Sequence, residues 1–270
     1  MLQAPQRTAL SGPALVRLLA RLADVDAVES KQSLSDRLSQ WLGWTDAIAL
    51  SSALNGSPPA AAAGARSFGR AEEDECARVR NSLASAIAGD SVFAVARRRG
   101  SAQAAPRGSV ETQADYAVFR QRYLALQQSM ETAIGTLRGR LRALLAARTP
   151  AFARLAVVDA VMERALSERE RTLLAAVPGL LGGHFERLRD AAAQQSLAEA
   201  EVHAATEAEA EAAATSTDPS RPAATTAHAA PLTQDTWLNV FRKDMQSVLL
   251  AELDVRFQPV EGLLAALRAC

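Results

Sequence analysis

Apolar residues in this chain recur at steps of three and four rather than two, so the pattern predicts helices. Leu15, Leu18, Leu19, Leu22 and Val25 form a first stripe, in a helix opening at Ser11 or Gly12. Pro13 then falls in the first turn, where its missing N–H costs nothing. A second helix opens at Ser33, with Asp36 three residues on in a capping-box-like arrangement. Leu34, Leu38, Trp41, Leu42 and Ile48 share its apolar face, and Gly43 before Trp44 predicts a kink or short break. A third helix over 71–88 opens on acidic turns that suit a helix N-terminus, carries Cys76, Val79, Leu83 and Ile87 on one side, and stops at Gly89.

The longest helix is predicted over 112–148. Its apolar positions are Tyr116, Phe119, Tyr123, Leu126, Met130, Ala133 and Leu137, a heptad spacing. The heptads leave two readings open, packing within one chain or a homodimeric coiled coil. Beyond Thr149 and Pro150 another helix uses Phe152, Leu155, Val158, Met162 and Leu166, and a turn near "VPGLLGG" leads to Phe185 and Leu188. Short connections between long helices predict an antiparallel hairpin. From Ala191 large apolar residues all but vanish, and "STDPSRPAATTAHAAP" has the composition of a disordered linker.

The last segment is the richest. Trp237, Phe241, Met245, Leu249, Leu253 and Phe257 recur every four residues, an i±4 ridge, and Pro259 is expected to end the helix before a short terminal one. So long an apolar face must be covered, by the chain's own core, a second copy or another protein. Asp244 and Glu252 lie on or beside that face; Glu252 has Arg256 one turn on, whereas Asp244 needs a partner from another element.

The resulting expectation is an all-α helical bundle with a long antiparallel hairpin, a disordered Ala/Thr/Pro linker and a C-terminal amphipathic helix. The segments are a helical pair (1–54), a linker (55–70), a short helix and basic loop (71–110), and the long hairpin (111–190). An Ala/Glu-rich extension with the linker (191–232) and the C-terminal helices (233–270) complete the chain.

Composition narrows the picture. Alanine fills 59 of 270 positions, so the core is lean and its helices must pack closely. Thirty basic residues balance thirty acidic ones, which gives no general pull toward nucleic acid or anionic lipid. Two cysteines make no disulfide framework, and Cys76 reads as a small buried hydrophobe. The opening stripe is interrupted by Arg17 and Arg21, unlike a signal peptide, and no run is long enough to span a bilayer. The expected location is the cytoplasm.

Candidate chemistry is sparse. The three histidines are scattered without zinc spacing, and phosphate loops, dinucleotide fingerprints and nucleophile elbows are missing. The expectation carries no catalytic, cofactor or metal residue. His184 reads as a capping or surface histidine. Arg138, Arg140 and Arg142, with Arg97, Arg98 and Arg99, make the best nucleic-acid candidate, though without interleaved aromatic residues.

Three blocks carry a family resemblance: "LSGPALVRLLARL" with "SLSDRLSQWLGWTDAIALSSAL", "FRQRYLALQQSMETAIGTLRGRLR", and "FRKDMQSVLLAELDVRFQPVEGLLAAL". Together they resemble an uncharacterised bacterial family, a domain of unknown function, from which no activity or site residue carries over. The resemblance implies a soluble partner in an envelope complex. The functional expectation is a non-enzymatic helical adaptor or scaffold whose C-terminal helix either closes the core or meets a partner or second copy through Trp237, Phe241, Asp244, Met245 and Leu249. The alternative is a nucleic-acid-binding regulator using Arg138, Arg140 and Arg142.

Overall fold

The computed structural model describes residues 13–25, 32–56, 69–93, 115–214 and 236–269. In chain order the helices are α1 (Ala14–Ala23), α2 (Leu34–Trp41), α3 (Trp44–Asn55), α4 (Arg70–Ala88), α5 (Tyr116–Ala146), α6 (Pro150–Ala175), α7 (Val177–Ala214) and α8 (Thr236–Arg268). The fold is all-α, with no strand among the described residues. Arg97, Arg98 and Arg99, the stretch 57–68 and the tract 215–235 lie outside them.

Local signals fix most helix starts. Ser33 accepts a hydrogen bond from the Asp36 N–H at 3.1 Å, and Glu72 reaches back to the Gly69 N–H at 2.9 Å. Thr149 caps α6 with Pro150 in its first turn. The break expected at Gly43 separates α2 from α3.

α5 and α6 form the antiparallel hairpin, cross-linked by Arg138–Asp159 at 2.6 Å and Arg171–Glu131 at 2.8 Å. α8 lies on α5 and also packs against α4, α7 and α1. Gln246 reaches the carbonyls at the C-terminal end of α4, while Arg268 meets Glu73 near its start, so α8 and α4 are antiparallel. At the core's upper end Tyr116, Phe119, Phe185, Trp237 and Phe241 pack edge-on or tilted, with ring centroids 4.9–6.2 Å apart. Gly182 makes room there: a Cβ on it would stand 2.9 Å from the Tyr116 ring.

Four sequence expectations change. The helix does not end at Pro259; α8 runs through it, because Val260, Leu263, Leu264 and Leu267 beyond the proline are buried in the same core. That burial outweighs one lost backbone hydrogen bond. "VPGLLGG" is helix rather than turn: the chain breaks one residue earlier, at Ala176, which puts Pro178 in the first turn of α7. On α6 the buried residues are Ala153, Ala156, Val161 and Leu174, while Leu155 is partly exposed. Small residues face inward there, letting neighbouring helices approach. Finally, Leu34 and Ile48 do not join an inward face; neither α2 nor α3 has a buried residue.

Candidate functional site

The C-terminal ridge is not a free surface. Phe241, Met245 and Leu249 have no solvent exposure, and Trp237 packs on Phe185 at 5.2 Å. This corrects their placement at a partner contact, because α1, α4, α5 and α7 of the same chain cover that face. Asp244 also finds its partners within the chain. Its carboxylate lies 2.9 Å from His184 Nε2 and 4.0 Å from Arg21. His184 is thus neither a cap nor a surface residue but joins α7 to α8 at a nearly buried pair.

Sequence reasoning placed Glu252 beside Arg256 but missed what surrounds them. Glu252 is completely buried and accepts from the Tyr123 hydroxyl at 2.7 Å, the Gln127 amide at 2.9 and 3.0 Å, and Arg256 Nε at 2.8 Å. Gln127 also donates to the Leu174 carbonyl at 3.2 Å, tying α5, α6 and α8 together. Four donor contacts compensate the desolvation of the carboxylate. Burial, and then the Glu252 charge, push the Tyr123 phenol far above its usual range. Burial raises Tyr116 to about 12 and also pushes the Cys76 thiol up. Tyr123 and Gln127 lie 129 and 125 residues from Glu252, so no local spacing could have paired them.

Arg256 leads from this network toward the surface, where it meets Glu170 at 3.4 Å. It lines a groove of about 560 Å³ between α2, α5, α6 and α8. Trp41, Ile134, Met162, Leu166, Val255 and Pro259 supply apolar wall, and Gly135 leaves open space on the α5 side. Arg138, Arg169, Arg171 and Arg256 stand around it, together with Glu131, Glu163 and Glu170. A volume of this size falls in the range of small-molecule sites.

The arginines expected to contact nucleic acid are engaged with carboxylates. Arg138 forms a two-pronged pair with Asp159 at 2.6 and 2.9 Å. Arg142 meets Asp159 at 3.1 Å and Glu163, whose bonds hold its pKa up against burial. Arg140 meets Glu75 at 3.1 Å. These pairs spend the arginines on joining α5 to α6 and α4, which leaves a weak footprint for phosphate.

Among the exposed apolar side chains, one group belongs to α2 and α3. They pack on α6, held by Asp46–Arg164 at 3.8 Å and by Arg169 over the Trp41 ring at 5.7 Å. Trp44 is 81% exposed, Leu34 73%, Leu54 52% and Ile48 50%. Trp44 and Ile48 are one turn apart on the same side of α3. Two further findings concern chemistry: among the described residues no group of three or more His, Cys, Asp or Glu could hold a metal ion, and no helix is long and apolar enough to cross a membrane.

Comparison with known proteins adds the chain's family. The model of a family described as "Protein of unknown function (DUF3348)" matches residues 1–269, so the chain belongs to that family. No curated protein and no solved structure matches it.

Proposed function

From membership of a family without an assigned activity, we propose that this protein is a non-enzymatic helical adaptor that docks another protein through the outer face of α2 and α3. One observation carries the reading: Leu34, Trp44, Ile48 and Leu54 of this pair stay exposed while the α8 ridge through Phe241, Met245, Leu249, Leu253 and Phe257 is buried inside the chain. An exposed Trp with an aliphatic residue one turn on is the ligand half of helix-in-groove recognition. The occupant it fits is a partner that offers an apolar groove. Anionic lipid suits the face less well, since exposed Asp36 would oppose a negative surface.

The test places a photo-reactive phenylalanine analogue at position 44 and crosslinks in the native cell. The captured protein is then purified and titrated against the unmodified chain. The proposal expects direct binding by a different protein, weakened at least tenfold by Ile48→Glu while circular dichroism stays unchanged. Capture of only a second copy, only lipid, or a protein that binds Ile48→Glu equally well would contradict it.

A further inference from the structure

We propose that the groove between α2, α5, α6 and α8 binds an amphipathic organic acid, with its apolar body in the groove and its anionic group on Arg169. This site is separate from the outer face of α2 and α3, and the inference does not depend on the adaptor reading.

The argument begins with the lining. The wall from Ile134 through Met162, Leu166, Val255 and Pro259 is apolar, which favours a hydrocarbon or ring over a sugar or a polar peptide. Gly135 keeps the space open: a Cβ added there meets no atom within 4 Å. Trp41 lines one side.

Charge then selects the other end of the ligand. Three of the four arginines around the groove already face carboxylates: Arg138 on Asp159 and Glu163, Arg171 on Glu131, Arg256 on Glu252 and Glu170. Arg169 differs. Its guanidinium lies over the Trp41 ring, and among the described residues no carboxylate comes within ion-pair distance of it. A guanidinium held over an aromatic ring keeps N–H donors that suit carboxylate or phosphate oxygens. A cationic or neutral amphiphile would leave that charge unanswered.

The probes share a ten-carbon chain: decanoate, decyl phosphate, decanol and decyltrimethylammonium, titrated calorimetrically into the full chain. Decanoate or decyl phosphate is expected to bind one to one and to change Trp41 emission, a signal absent from Trp41→Phe. Whichever of the two binds more tightly identifies the head group as carboxylate or phosphate. Arg169→Gln should weaken that binding at least tenfold. Gly135→Leu should block it by filling the groove, in a helical position that leucine favours. The proposal is overturned if neither anion binds at millimolar concentration, or if decanol or the ammonium probe binds as tightly. Unchanged affinity in folded Arg169→Gln or Gly135→Leu would overturn it equally.

Discussion

α8 and the α2–α3 pair begin with similar promise and end in opposite places. Both carry tryptophan and aliphatic residues at helical spacing. Yet α8 buries residues from Leu238 to Leu267, and α2 and α3 bury none. Length is one cause. The 33 residues of α8 keep one ridge continuous for nine turns, enough to touch α1, α4, α5 and α7 at once. The 12 residues of α3 distribute Trp44, Ile48, Leu50 and Leu54 around the axis, so no narrow face can be buried whole. An apolar stripe therefore identifies which residues share a side; the helices competing for a limited core decide which stripe is covered.

The sharpest way to break this contrast is to empty α8. Phe241→Ala should cost about 3–5 kcal/mol in urea unfolding. Glu252→Ala should cost about 3–5 kcal/mol as well, because the buried Tyr123 hydroxyl and Arg256 Nε lose their acceptor. If either variant unfolds at the wild-type urea midpoint, α8 is not the centre of the core. Gly182→Ala should cost about 1–3 kcal/mol by pressing a methyl against Tyr116, with lower near-ultraviolet dichroism as the accompanying sign.

Alkali offers a gentler comparison. Tyr116 has its folded pKa raised to about 12, above the usual value of 10.0, and Tyr123 is raised further. The stability Tyr116 contributes is complete below pH 10 and is lost as pH rises through about 12, while that of Tyr123 falls over the same interval and goes on falling above it. The urea midpoint should therefore fall over that interval, and Tyr116→Phe should flatten the fall. A midpoint independent of pH in that range would contradict the burial of both rings against α7 and α8. Smallest of all, Trp44→Ala on the exposed face should shift stability by no more than about 0.5 kcal/mol.

Much of this architecture was legible in the sequence. Ser33, Gly43, Gly89 and Thr149 with Pro150 marked helix ends through local chemistry, and the heptads of α5 named Phe119, Tyr123, Leu126, Met130 and Leu137, all of which are buried. What could not be read was non-local. Pro259 looked like a stop because its missing N–H is a local fact, while the burial of Leu263 and Leu267 that keeps the helix going is tertiary. Asp244 was seen to need a partner from elsewhere, but His184 lies 60 residues away on another helix. The groove was harder still. Trp41, Ile134, Leu166 and Val255 come from four helices, and nothing in their spacing brings them together.

Native-state hydrogen exchange read by mass spectrometry tests the central contrast most directly. Peptides from α8 should exchange only through global unfolding, whereas those from α2 and α3 should exchange at least a hundredfold faster through local opening. Equal protection of the two regions, or faster exchange in α8, would contradict a core built on the C-terminal helix with the α2–α3 pair laid on its outside.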